Sequence, residues 1–331
     1  MARLKIAVLY VGGSIGMIRN RRTGRIEQLD SIEHIHRFLP EAQRDVSLEF
    51  FTVANVGSSE VTPEHWVLIA EKIRALYDRF DGFVVIHGTN TMAYTAAALS
   101  FALQNLSKPI ILTGSILPLD ELGSDARMNL AYALQAAQLD LAEVCVVLGP
   151  RVLRGNRAKK TDQSIIKTFS TPRMSPLVRF DATVELSPRR VVRRKRSLIV
   201  KPAFDPNVLS ITLHPGMPEH YFDLLLDFNP SGIVLRAYGQ GMLPESLFPW
   251  LREATKRKIP IVIVSQLQKG SIDLHRFRKQ MTLESMGVIS GMDMTYECAV
   301  TKLMWVLAQT KDPRRVRELM EKSLAGELTH V

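Results

Sequence analysis

The chain has 331 residues, 46% hydrophobic and 23% charged, which is the balance of a folded globular protein long enough for two cores. No run approaches the ~20 uninterrupted apolar residues that a membrane-spanning helix requires, so no membrane partner is expected. The net charge of +10 is concentrated in Arg189, Arg190, Arg193, Arg194, Lys195 and Arg196; no aromatic side chain is interleaved to stack a base, so the run predicts a solvated ribbon rather than a nucleic-acid interface.

In chain order, Leu4–Tyr10 reads as a buried strand that Gly12-Gly13 cuts off too early for a signal peptide. His34 and His36 flank one residue in a predicted helix, on different faces. Thr62 offers an N-cap and Pro63 a first turn for the helical spacing of Trp66, Ile69, Ala70, Ile73, Leu76, Tyr77 and Phe80. Strands are predicted at Gly82–His87, Pro109–Thr113 and Glu143–Leu148, with helices at Thr91–Leu103 and Asp125–Leu139 between them. An extended link around Leu198–Asn207 leads to strands at Val208–Leu213, Gly232–Ala237 and Ile259–Val264 and helices at Tyr221–Leu226 and Glu245–Thr255. Amphipathic helices at Thr295–Ala308 and Asp312–Leu324 close the chain.

This alternation predicts an α/β protein: a large N-terminal domain (residues 1–200) with a mixed, mainly parallel sheet flanked by helices, and a smaller C-terminal parallel-sheet domain (208–331). Cys145 and Cys298, both inside apolar segments, suit buried thiols and a cytoplasmic compartment better than a disulfide. The eight histidines show no metal-ligand spacing, and neither a metal nor another cofactor is expected.

Polar groups follow the predicted strands where open α/β sheets bind ligands. Gly12-Gly13-Ser14-Ile15-Gly16 supplies a backbone that a ligand can approach closely and a hydroxyl, although such a run is often just a turn. Its formal match to a nucleophile elbow lacks the preceding strands that build an oxyanion hole. Gly57-Ser58-Ser59-Glu60 precedes a helix, and His87-Gly88-Thr89-Asn90-Thr91 joins a strand to one, with Thr89 a candidate cap and His87 a candidate structural residue. In Gly155-Asn156-Arg157-Ala158-Lys159-Lys160, either lysine reads as a surface group unless burial or positive neighbours depress its ammonium enough to make it a base.

Together these segments resemble the bacterial L-asparaginase family, most closely its cytoplasmic type I branch. The resemblance covers nearly the whole chain and rests on Asp81-Gly82-Phe83-Val84-Val85-Ile86-His87-Gly88-Thr89, Leu112-Thr113-Gly114-Ser115, Arg154-Gly155-Asn156-Arg157, Asp293-Met294-Thr295 and Gly326-Glu327-Leu328-Thr329. It implies an amidohydrolase acting on L-asparagine or a related small amide through a hydroxyl nucleophile and an acyl-enzyme, in a homodimer or homotetramer with sites near subunit contacts. Ser14 falls at the nucleophile position after Gly13. Thr89 and Lys160 match the proton-transfer pair, Ser58 with Ser59 matches the carboxylate-holding segment, and the backbone at Ser115 matches the wall facing the amide. There are departures. Asn90 stands where the family has an aspartate that pairs with the substrate ammonium and orients the lysine. Arg25 stands where a lid-loop tyrosine is expected, Val11 replaces a threonine, and Leu267 takes the place of the cysteine of the type I effector pocket, although Arg236 is kept. A homologue that binds without turnover, and a weak polyanion patch at Arg189–Arg196, remain as alternatives at this level.

Overall fold

A computed structural model of the chain describes residues 3–20, 22–28, 46–164, 168–276 and 278–329; the helix expected around His34 and His36 lies outside them. The chain divides into two compact units, one up to Pro202 and the other from Ala203 onward.

The first unit is built on strands β1 (Leu4–Tyr10), β2 (Val46–Thr52), β3 (Gly82–Ile86), β4 (Ile110–Thr113), β5 (Val144–Val147), β6 (Arg151–Arg154), β7 (Val178–Phe180) and β8 (Val184–Leu186). They form one sheet in the order β8-β7-β6-β5-β4-β3-β1-β2. From β2 to β5 every pairing is parallel, and β6, β7 and β8 extend the sheet antiparallel. Three helices accompany it: α1 (Pro63–Leu76), α2 (Met92–Ala102) and α3 (Ala126–Ala136).

Strand periodicity explains the core. Ile6, Val8, Val84, Ile86, Ile111 and Val147 join one cluster with Leu130, Ala133 and Leu134 of α3. The alternate residues Ala7, Leu9, Phe83, Val85 and Leu112 point to the other face and are equally buried. Both faces are thus covered, which is why these strands read as continuous apolar runs. Helix α2 is apolar nearly all round and buries ten of its residues, Thr95 and Ser100 among them.

The arginine run departs from the expected ribbon. Arg189, Arg194, Lys195 and Arg196 are exposed, but the Arg193 guanidinium donates to the carbonyls of Leu139 (2.9 Å), Asp81 (2.9 Å) and Ala137 (3.0 Å). Ala137 and Leu139 lie just past α3, where carbonyls have no partner inside the helix, and the guanidinium supplies one. Arg190 similarly donates to the Asp140 and Ser187 carbonyls. The extended link is also less open than expected, since Ile199–Val200 pairs antiparallel with Leu103–Gln104.

In the second unit β9 (Val208–Thr212), β10 (Gly232–Ala237), β11 (Ile261–Ser265) and β12 (Ile289–Ser290) form a parallel sheet in chain order. Its helices are α4 (His220–Asp227), α5 (Phe248–Lys256), α6 (Arg278–Ser285), α7 (Tyr296–Gln309) and α8 (Pro313–Glu321). Phe222 of α4 meets Trp250 of α5 edge to face at 5.1 Å, within a core that includes Ile233, Leu235 and Ile263. Residues 245–247, expected to open α5, form a separate 3-10 turn. Helix α8 stops at Glu321, short of the expected Leu324, because the chain turns to bring Glu327 to Lys302. Both cysteines are buried thiols, neither of them in a disulfide. Among the described residues, no helix is long and apolar enough to cross a membrane.

Candidate active site

Strands β1 and β3 are neighbours, yet the chain leaves β1 for β2 on one side before returning to β3 on the other. That reversal creates a crevice at the carboxyl ends of the two strands, the usual ligand position in an open α/β sheet. The residues that follow them are Gly12-Gly13-Ser14 and His87-Gly88-Thr89-Asn90.

Glycine lets these loops touch. Gly12 and Gly13 have φ of 136° and 98°, conformations closed to most side chains. A Cβ on Gly13 would stand 2.5 Å from the Gly88 Cα, and one on Gly88 would stand 2.7 Å from the Ser58 Oγ. Three loops therefore interlock, the Gly13 backbone against that of Gly88 and the Ser58 side chain against Gly88, with Ser14, Thr89 and Ser58 each on or beside a point of contact. Ser14 is half-buried and opens a 3-10 turn. Ser58 is buried; its Oγ accepts from the Asn90 N–H (3.3 Å) and its carbonyl from the Thr91 hydroxyl (2.6 Å). Thr91, not Thr89, is the N-cap residue of α2. The hydroxyl of Thr89 is thus left for another partner.

That partner is Lys160. Lys159–Lys160 pairs antiparallel with Phe169–Ser170, and Lys160 Nζ donates to Thr89 Oγ1 at 2.8 Å and to Asn90 Oδ1 at 2.7 Å. Burial pushes its ammonium below the ordinary lysine range, and among the described residues no carboxylate lies within ion-pair distance to hold the proton on. The alternative of a simple surface lysine does not fit this geometry. An amine so placed can take the Thr89 proton once it is neutral.

The remaining predicted groups are less uniform. Ser115 is 1% exposed and its hydroxyl donates to the Leu117 carbonyl at 2.6 Å, so only its backbone is available to a ligand. The wall it belongs to is braced from α3. Asp125 accepts from the N–H groups of Ile116 (3.0 Å) and Leu117 (3.1 Å), and Asn129 Nδ2 donates to the Gly114 carbonyl at 2.9 Å. Sequence reasoning missed this brace; its trace was an acid and an amide four apart at a helix start. Ser59 is exposed and turns to Glu60 (3.4 Å). Arg25 lies exposed in the connection of a hairpin, Met17–Arg19 with Ile26–Gln28, and among the described residues its side chain makes no hydrogen bond or ion pair with the other site groups. The structure interlocks the loops that carry Gly13–Ser14, Ser58 and Thr89–Asn90 and bonds Lys160 to the last of them, whereas the Ser59 hydroxyl turns to Glu60 and, among the described residues, Arg25 makes no side-chain bond to these groups.

Known proteins share both the sequence families and the fold of this chain. Residues 5–192 match the family described as Asparaginase, N-terminal, and residues 207–320 match the Glutaminase/Asparaginase C-terminal domain. The chain is 37% identical to L-asparaginase 1 of Escherichia coli over 337 residues, covering 99% of each. Among solved structures, the thermostable L-asparaginase from Thermococcus kodakarensis superposes with a TM-score of 0.93 at 32% identity, covering 99% of this chain and 100% of that one. L-asparaginase I from Vibrio cholerae superposes with a TM-score of 0.91 at 35% identity, with the same coverage. With both domains matched and full-length relatives above 30% identity, the chain belongs to the asparaginase family.

Proposed function

We propose that this amidohydrolase cleaves the side-chain amide of L-asparagine, or of a related small amide, to the acid and ammonia. Ser14 Oγ attacks the amide carbonyl carbon while its proton is withdrawn towards the Thr89–Lys160 pair. The tetrahedral species collapses with loss of ammonia, the leaving nitrogen taking a proton, and an ester remains on Ser14. Water then attacks the ester and releases the acid. The names of the relatives, L-asparaginase 1 and L-asparaginase I, support this chemistry.

The observation that carries the reading is the double hydrogen bond of Lys160 to Thr89 and Asn90, on loops locked to the Ser14 loop through Gly13 and Gly88. In this reading Ser58 receives the substrate carboxylate, and backbone groups at Gly114–Ser115 face the amide. Asn90 makes the substrate question specific. Its Oδ1 is taken by Lys160, so what it offers a ligand is the amide NH2, a donor that suits a neutral or anionic group better than an ammonium. The working protein is expected to be a cytoplasmic homodimer or homotetramer, to need no cofactor, and to act on small molecules. Ammonia release from L-asparagine by wild type and Ser14→Ala tests the proposal. Wild type should be faster by roughly a thousandfold or more, as for loss of a nucleophile; equal rates would sink it.

A further inference from the structure

His87 is 1% exposed and takes no part in the reaction written above, yet it directly follows β3 and immediately precedes the Gly88–Thr89 peptide. Its Nδ1 lies 2.7 Å from the Gly88 carbonyl oxygen and its Nε2 lies 3.0 Å from Thr95 Oγ1 on α2. Thr95 Oγ1 in turn accepts from the Trp66 indole N–H of α1 at 3.1 Å. Donor rules allow one direction through this chain. A carbonyl only accepts, so Nδ1 must carry the ring proton. A neutral imidazole has one N–H, so Nε2 is a lone pair and the Thr95 hydroxyl must donate to it. The Thr95 oxygen then has lone pairs to receive the indole N–H, which can only donate. Burial keeps the ring neutral, pushing it down to about 4.

The geometry points to His87 as a positioning residue: a directed relay, Trp66 to Thr95 to His87 to the Gly88 carbonyl, sets the plane of the Gly88–Thr89 peptide and with it the Thr89 hydroxyl that meets Lys160. No peptide bond among the described residues is cis, so the C=O of Gly88 and the N–H of Thr89 point oppositely. Holding the carbonyl against the imidazole therefore turns the Thr89 N–H away from it. The same carbonyl belongs to the residue on which the Gly13 and Ser58 contacts converge. A rotated peptide would disturb all three loops at once, and it would do so without removing any group that touches substrate. This inference deepens the hydrolase reading and rests on it for its kinetic arm only.

The experiment has two arms. Nitrogen-15 NMR of the histidine rings, with His87→Asn for assignment, should show His87 as the Nδ1–H tautomer in wild type. Thr95→Val, which keeps the shape but removes the hydroxyl, should lose that pure tautomer. The same variant should lower kcat roughly tenfold to a hundredfold, the scale for a small misplacement of a reacting group, with KM changed by less than about threefold. Thr95→Ser should regain both the tautomer and the larger part of kcat. An Nε2–H ring in wild type overturns the relay, as does Thr95→Val with a changed tautomer and an unchanged kcat, or a kcat loss that Thr95→Ser does not relieve. A wild type that releases no ammonia overturns the hydrolase reading instead, and the tautomer spectra then decide the relay by themselves.

Discussion

Two lysines, one in each unit, show how the same side chain is made into different things. Lys302 on α7 is wholly buried, as is its carboxylate partner Glu327 at 2.6 Å, and its ammonium also donates to the carbonyls of Met320 (2.8 Å) and Lys322 (2.7 Å). Glu327 completes the arrangement by accepting from the N–H groups of Leu324 (2.9 Å) and Ala325 (2.8 Å). Every proton and lone pair is used to pin the segment after α8, and nothing is left for a ligand. Lys160 is only part-buried, bonds to two neutral oxygens and has no carboxylate beside it among the described residues. A counter-ion fixes the first as a bolt; its absence leaves the second able to give up a proton.

Exchanging the two kinds of damage breaks the comparison if it is wrong. Lys160→Met should lower ammonia release by roughly 10²- to 10⁴-fold, the usual worth of a positioned acid–base group, with little change in the denaturation midpoint. Lys302→Met should do the reverse. It leaves Glu327 charged and unpaired in the interior, at a cost of about 3–5 kcal/mol in urea unfolding, while kcat of the protein that remains folded is retained. Adding Glu327→Gln removes the stranded charge yet keeps an oxygen for the Leu324 and Ala325 N–H groups, so it should recover more than half of the loss. A Lys160 variant that unfolds, or a Lys302 variant that is stable and inactive, would mean the roles were assigned the wrong way round.

Asn90→Asp sharpens the contrast by giving Lys160 the kind of partner Lys302 has. A carboxylate at 2.7 Å favours the ammonium and opposes the effect of burial, so the variant should need a higher pH before Lys160 can serve as a base. The acid limb of the kcat/KM profile should move to higher pH. Above that limb, the new charge should favour L-asparagine, whose ammonium gains a charge-assisted partner, by about 10- to 100-fold in kcat/KM. Succinamate, which has no ammonium, should show the pH displacement without that gain. Equal behaviour of the two substrates would count against the account of position 90.

How much of this was legible beforehand follows from the range of the interactions. Strand β1 was plain because its burial on both faces writes a continuous apolar run, and the glycine-and-hydroxyl loops after β1 and β3 were plain because strand-end chemistry is local. Strand β2, at the sheet edge, was missed because Val46–Thr52 mixes buried and exposed positions, and β6 because its Arg151 and Arg154 look like loop residues. Arg154 is in fact paired with buried Glu143 at 2.5 Å. Arg193 looked solvated because the carbonyls it meets are more than fifty residues away in sequence. The Trp66–Thr95–His87 relay has the same character; only a threonine amid the apolar run of α2 hinted at it.

His87 carries the last of the expected effects, the one that separates a buried base from a buried ion pair. Its folded-state value of about 4 lies below the ordinary 6.5 because burial disfavours the cation, with the Gly88 hydrogen bond acting in the opposite sense. Above 6.5 the ring is neutral whether the chain is folded or not, and pH has no hold on stability through it. As pH falls from 6.5 towards 4 the unfolded chain takes up a proton that the native site refuses, so unfolding is favoured. The wild-type contribution should fall by up to about 1.4 kcal/mol per pH unit across that window. His87→Asn cannot titrate there. Whatever its stability at neutral pH, the difference between the two proteins should drift in the variant's favour as the medium is acidified from 6.5 to 4. Parallel urea-unfolding curves across that range would mean that the imidazole can ionise where it stands. A proton on both ring nitrogens would take away the lone pair that Thr95 needs, and the fixed setting of Thr89 would then require another cause.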